Sequence, residues 1–400
     1  MILSNKTLKK YVIDTVRATE PVVPRCRHAR ECGGCAFQDH AYAAQVTVKV
    51  GALNQIWATA LPGLITNTIP MIASPDSFNY RTRMDYAANR GRMGLRRSGK
   101  FNWIEDLHEC HLIPPAAFAV ARSVYEHAVA LGLPDYHLYA HTGFLRYFVV
   151  RRSPQDTLML AVVTASREHE AEMAQLAEYA LAQPAVHSFH WLLNDTVTDL
   201  SFGESLRYWG SERLVMQVGE RTLEIGPNTF FQNNVHLLGT LLDEVTEAVV
   251  SSTPNARVAD LYGGVGTIAL HLAEHVGSVV CVEEHVESAA LAQHNIALNN
   301  VANVTALASD TLAYLRGQQP GAFDVVVVDP PRIGLGLEVC RELLRVAPAR
   351  IVYVSCNPLT QVEDTRALLA GYTLTSLRGY DMFPHTPHME ALSVFDRVAL

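Results

Sequence analysis

Lysine is scarce: of 400 residues only five are lysine, and none lies beyond Lys100. Long hydrophobic runs are missing as well. No stretch approaches the ~18 apolar residues of a membrane span, and the densest, 325–328, stops at Asp329. The N-terminal lysines precede no continuous apolar segment, so no signal peptide is expected. Charged residues make up only 18%, but 49% of the chain is hydrophobic, which excludes disorder as the main state. No internal repeat or low-complexity tract stands out. Without a secretory signal, the seven cysteines are expected to be metal ligands or reactive thiols, not disulfides. These absences describe a cytoplasmic, multidomain protein.

The charge that is present is unevenly placed. Residues 1–100 carry 15 Lys+Arg against 6 Asp+Glu, whereas residues 101–400 carry 17 against 34. Such a division suggests a basic surface for a polyanion joined to an acidic enzyme body.

Regular patterning begins near residue 230. RVADLY, SVVCVE, VTALAS, FDVVVVD and RIVYVS are strand-length apolar runs, separated by stretches with helical three-and-four spacing. That rhythm predicts βαβ units and a mostly parallel sheet over 230–400, finished by strands around 372–379 and 391–398. The middle, within 25–229, has alternating and aromatic runs with glycine turns and predicts an antiparallel α+β domain. A helix is expected over 42–60, packed on either neighbour, and 1–24 is expected to be a short tail.

Chemistry-bearing residues fall at the ends of the expected strands. After the first comes Asp260-Leu-Tyr-Gly-Gly-Val-Gly, whose glycines let the backbone turn tightly and approach a ligand. The second ends in Glu283, where an acid binds ribose hydroxyls in a doubly wound sheet. The spacing is not a full G-x-G-x-x-G, so an adenosine-containing cofactor is favoured over a dinucleotide. The fourth ends in Asp329-Pro-Pro-Arg332, where substrate and cofactor meet. The fifth runs into Cys356-Asn357-Pro358, a thiol placed to attack something bound there, with Arg332 and nearby amides expected to favour a near-neutral thiolate. FPHTPHME brings Glu390, a candidate general base, onto a loop with His385 and His388.

Two features lie in the front half. Cys26, Cys32, Cys35 and the later Cys110 offer four thiolates, which suit tetrahedral zinc or an iron–sulfur cluster. Arg81, Arg83, Arg96 and Arg97 belong to an arginine-rich stretch interleaved with aromatics, the combination that holds RNA phosphates and stacks on splayed bases.

DLYGGVG, VDPPR, VSCNP and FPHTPHME, in this order, resemble the RNA uracil-5-methyltransferase family, and the resemblance runs from about Cys26 to the C-terminus. It implies a class I (Rossmann-like) methyltransferase domain, S-adenosyl-L-methionine as methyl donor, and RNA as partner. Cys356 matches the nucleophile that adds to carbon 6 of uracil, and Glu390 the base that removes the carbon 5 proton. Gln232, Tyr262, Gly264, Gly266, Glu283, Asp310 and Asp329 are the cofactor positions the resemblance implies, and Arg332 joins the arginines expected to meet RNA. CxxxxxCGGC with a later HEC is similar to the 4Fe-4S site of the ribosomal members, which makes Cys26, Cys32, Cys35 and Cys110 cluster ligands. The expected substrate is therefore a uridine in 23S rRNA, with the T-loop uridine of tRNA as runner-up. The rival from another class is a non-catalytic iron–sulfur RNA-binding protein. Several family members carry an N-terminal β-barrel of the TRAM type; too few residues precede Cys26 for one, although KKYVIDTVRATEPVVPRC looks like its tail.

Overall fold

The computed structural model describes residues 4–398 apart from 252 and 254. Valine-rich runs form the strands Arg257–Leu261, Ser278–Glu283, Val304–Ala308, Val325–Val328 and Arg350–Ser355, all parallel. The last strand, Glu390–Arg397, inserts between Arg350–Ser355 and Tyr372–Tyr380 and runs against both. Both faces of this sheet are covered, which is why its strands read as unbroken apolar runs. Val325 and Val327 join one core cluster while Val326 and Val328 join the other, the alternation that the two-residue period of a strand dictates.

The catalytic-side body is larger than the patterning suggested. The hairpin of Leu214–Val218 and Arg221–Ile225 places Leu214, Met216, Leu223 and Ile225 in the same cluster as the helix Leu238–Val250. This body therefore begins ahead of residue 230. Far upstream, Met71–Ile72 adds a short parallel strand beside Gly379 and Tyr380.

The central sheet has seven strands in the order Lys100–Asp106, Arg92–Arg97, Arg83–Asn89, Leu145–Arg152, Leu158–Thr164, Val186–Leu193, Glu204–Gly210. It is antiparallel except for one pair. Leu158–Thr164 and Val186–Leu193 run parallel, joined through the helix Glu170–Leu181. Every residue of Leu158–Thr164 is buried, and a run buried on both sides carries no sign of its partner's direction.

The first segment is a helix, Asn5–Arg17, instead of a tail. Its first turn is closed by a capping box between Ser4 and Thr7. Leu8, Val12 and Val16, spaced by four, form one buried stripe. That stripe packs on Ala52, Leu53, Ile56 and Trp57 of the helix Tyr42–Ala60, together with Val362 and Met389 of the catalytic body. Among the described residues no helix is long and apolar enough to cross a membrane.

Candidate active site

The carboxyl ends of the parallel strands open into one cleft of about 1650 Å³, partly continuous with solvent. A crevice is expected at this edge, where the strand order reverses. Gln232, Tyr262, Gly264, Glu283, Asp329, Arg332, Cys356 and Glu390 all line it. Register sets the spacing at the reactive end. Ser355 pairs with Ala391 across the antiparallel ladder, so the next residues outward, Cys356 and Glu390, stand opposite each other at the cleft floor. Asn357 caps the following helix, Pro358–Leu368, accepting from the amide of Leu359 at 3.3 Å. Its side-chain nitrogen donates to the carbonyl of Arg332 at 2.8 Å, which ties the DPPR and SCNP loops together.

The other end of the cleft fits an adenosine-bearing cation. Glu283 accepts from the amides of Gly264 at 2.9 Å and His285 at 2.8 Å, which fixes its carboxylate while leaving lone pairs for ribose hydroxyls. Gly264 has φ 57° and open space where a Cβ would point, and a Cβ on Gly263 would lie 2.3 Å from the sulfur of Cys281. Gln232 donates to Asp329 at 2.9 Å. Burial raises the carboxyl of Asp329, and raises Asp260 to about 8 with help from the charges of Asp329 and Glu283. Clustered buried carboxyls resist ionising together, and a bound sulfonium relieves that repulsion.

The nucleophile candidate is not pre-ionised. Burial pushes the Cys356 thiol up to about 12; Glu390 and Asp329 push it further the same way, and Arg332 opposes them. This reverses the expectation of a near-neutral thiolate, because burial first, and then the two acids that face the sulfur, outweigh the one arginine. Glu390 is itself raised, by burial first and then by Asp329. Arg332 donates to Nδ1 of His388 at 2.7 Å, and burial with that guanidinium holds His388 neutral, at about 3.

The loop before Glu390 is fixed by the front of the chain. Lys49 donates to Asp381 at 2.6 Å and to the carbonyl of Phe383 at 3.1 Å, with both side chains of the ion pair fully buried. Gln45 accepts from the amide of His385 at 3.1 Å, and Tyr80 donates to the carbonyl of Pro384 at 3.1 Å. Sequence reasoning missed Lys49 and Asp381; the available signal was that Lys49 is the one charged residue of its helix. Asn228 and Phe230, just ahead of Gln232, also line the cleft and were missed.

Other expected residues lie elsewhere. Gly266 precedes the helix Thr267–Leu272 with φ 87°, and Asp310 caps the helix Thr311–Arg316 by accepting from Ala313 at 2.7 Å; neither lines the cleft. Arg81 does line it. Arg83 instead holds Asp85 at 2.9 Å and the carbonyl of Pro227 at 2.9 Å. Arg96 is paired with Asp199, and Arg97 with Glu31 at 3.0 Å. Cys26, Cys32, Cys35 and Cys110 surround one small, nearly closed pocket, walled also by Leu95, Leu107 and Leu112. The amide of Gly34 points at the sulfur of Cys32 from 3.4 Å, and Nε2 of Gln38 at that of Cys35 from 3.6 Å. Among the described residues no group of three or more His, Cys, Asp or Glu is arranged around a single metal ion. The four thiols share one apolar-walled pocket, but the arrangement gives the expected 4Fe-4S cluster no support beyond that proximity.

The model of the tRNA (uracil-5-)-methyltransferase family matches residues 210–398. The tRNA (uracil(54)-C(5))-methyltransferase of Pyrococcus abyssi is 31% identical over 93% of this chain and 85% of its own length. An uncharacterized RNA methyltransferase of Nitratidesulfovibrio vulgaris is 34% identical over 92% of this chain and 81% of its own. The crystal structure of the Pyrococcus abyssi tRNA (uracil-54, C5)-methyltransferase in complex with S-adenosyl-L-homocysteine matches with a TM-score of 0.78 and 28% identity, over 92% of this chain and 86% of that one. These likenesses favour the tRNA alternative over the expected 23S rRNA. That expectation rested on the front cysteines. The chain belongs to the RNA uracil-5-methyltransferase family and is an S-adenosyl-L-methionine-dependent enzyme of that kind.

Proposed function

We propose that the substrate is the T-loop uridine of tRNA, with Cys356 as nucleophile, Glu390 as base, and a 4Fe-4S cluster held by Cys26, Cys32, Cys35 and Cys110. The observation that carries the catalytic part is the ladder register, which sets Cys356 against Glu390 in the cleft that also holds Glu283 and Asp329. The tRNA substrate is supported by what the names of the Pyrococcus relatives say of those proteins.

Uracil carbon 5 is a poor nucleophile until carbon 6 is attacked. Cys356 gives its proton to solvent and its sulfur bonds to carbon 6, while the electron pair of the 5,6 double bond moves to make an enolate. Bound S-adenosyl-L-methionine supplies the methyl group that carbon 5 then takes. Glu390, as carboxylate, removes the carbon 5 proton; the double bond re-forms and the carbon–sulfur bond breaks, returning the Cys356 thiolate. The target base must leave its stack to reach this floor. The cluster shapes the N-terminal region: Cys110 joins segments far apart in the chain, and no step of the reaction passes through it.

Mapping 5-methyluridine in tRNA and 23S rRNA from cells lacking the gene tests the substrate. Loss from tRNA alone is the expected result, and loss from 23S rRNA alone would restore the ribosomal reading. Anaerobically purified protein should hold about four irons per chain and absorb broadly in the visible. Stoichiometric zinc without iron would overturn the cluster.

A further inference from the structure

Cys356 stands between two chambers. The cleft described above lies on its cofactor side. On the other side is a second cavity, of about 920 Å³, between the Cys356–Pro358 turn, the 387–389 segment and the N-terminal helix. Arg332, Cys356 and His388 line both. The helix contributes Asn5, Lys6, Leu8 and Lys9 to the second chamber.

The two chambers differ in charge. Asp329 and Glu390 face the first, which suits a sulfonium and repels a phosphate. The second is rimmed by Lys6, Lys9 and Arg332 and floored by apolar Leu8, Pro387 and Met389. Both lysines are exposed; among the described residues the ion-paired lysine is Lys49, not these two. The first-turn amide of Thr7 is taken up by Ser4, so the side chains are what the helix offers a ligand. Lys9 also lies close enough to help hold His388 neutral, which places its charge beside the Arg332–His388 pair. A polynucleotide whose uracil sits on Cys356 must leave the floor on one side, and its phosphates cannot follow the acids.

We infer that the helix Asn5–Arg17 is an RNA-binding element of the active site, in which Lys6 and Lys9, beside Arg332, hold two successive phosphodiesters next to the target uridine while the adjoining nucleotide rests on the Leu8–Pro387–Met389 floor. This rests on the reading of the chain as an RNA methyltransferase, and it assigns to the N-terminal segment the contact that the arginine-rich hairpin was expected to make.

The chain's few lysines make the test direct. On an RNA transcript that the wild-type enzyme methylates, lysine acetylation is followed by mass spectrometry with and without RNA. Lys6 and Lys9 should be protected by RNA, Lys10 should stay reactive, and Lys49 should be unreactive in both states. Equal acetylation of Lys6 and Lys9 with and without RNA overturns the inference, whereas failure of the wild-type enzyme to form 5-methyluridine on any transcript is a failure of the functional reading instead. In the Lys6→Gln/Lys9→Gln variant, the slope of log Kd for RNA against log salt should become shallower by about 1.4, two single-strand phosphate contacts. An unchanged slope overturns it as well.

Discussion

On the C-terminal side of the cleft, Asp329, Cys356 and Glu390 stand at the ends of neighbouring strands, where the hydrogen-bond ladder fixes how far apart they are. On the N-terminal side, the ladder is short: Met71–Ile72 pairs with Gly379 and Tyr380 and takes the amide of Asp381, and the amide of Ala36 reaches the carbonyl of His385. Lys49, Gln45 and Tyr80 reach across from other segments and hold the 381–385 loop by side-chain bonds. The first wall carries the groups proposed to react, and the second holds the loop that leads into one of them. Register is shared among many backbone bonds, so a single substitution on the first wall alters chemistry and leaves geometry standing. On the second, one substitution removes the whole fixing bond.

The largest effects belong to the first wall. Cys356→Ala should abolish methyl transfer and leave no covalent species. Glu390→Gln keeps size and polarity but cannot accept the carbon 5 proton, so a methylated protein–RNA adduct should persist on a denaturing gel. Loss of a base typically slows its step ~10²–10⁴-fold, enough to trap the adduct within minutes. Normal turnover by Glu390→Gln, or an adduct formed by Cys356→Ala, would overturn both roles.

The second wall should fail by unfolding, not by losing a reacting group. Lys49→Met leaves Asp381 buried and unpaired, with one carboxylate oxygen already lacking a partner. Breaking a buried pair from one side costs about 3–5 kcal/mol, whereas replacing both partners with apolar groups is often neutral. Urea unfolding should therefore show a large loss for Lys49→Met and recovery in Lys49→Met/Asp381→Leu. If the double variant is as unstable as the single one, the ion pair is not what holds the loop.

These walls also differ in how legible they were. Asp329 and Cys356 each follow a short apolar strand, so the end of the run announces the acid or thiol, whereas Glu390 opens the last strand and was read from the FPHTPHME segment. The parallel strands and the two late ones were legible in such runs; the sheet order and the insertion of the last strand were not. Lys49 and Asp381 are 332 positions apart, and neither sits in a pattern that names the other. The N-terminal helix read as a tail because its buried stripe has only three members and its partner is the 42–60 helix. The parallel pair in the central sheet was hidden because LMLAVVT is buried throughout. Local sequence also exposed Cys356 but not its ionisation state, which depends on two acids from other strands.

A pH profile separates the walls by a smaller effect. Burial and Asp329 raise the Glu390 carboxyl, so at pH 6 it is held protonated and cannot act as a base. The rate of adduct resolution in single turnover should therefore climb as pH rises through neutrality, roughly tenfold per unit while the acid form predominates. A flat rate from pH 6 to 9 would remove Glu390 from the proton-transfer step and leave it a merely placed side chain.

The smallest effect should come from the arginine-rich hairpin, which belongs to neither wall. Arg96 is paired with Asp199 and its guanidinium lies 4.0 Å from the centre of the Phe101 ring. Arg97 is 3.0 Å from Glu31 and 4.0 Å from Glu105. A phosphate meeting these residues meets charges already answered by carboxylates, and taking them over means breaking pairs that are themselves worth only about 0–1 kcal/mol each. Arg96→Gln/Arg97→Gln should therefore flatten the salt dependence of RNA binding by less than one single-strand contact, about 0.7 in slope. That is less than half the change expected of the Lys6 and Lys9 variant. A loss of two full contacts from the arginine variant would move the RNA surface from the N-terminal helix to the hairpin, and the wall beside Cys356 would then be bare of its phosphate.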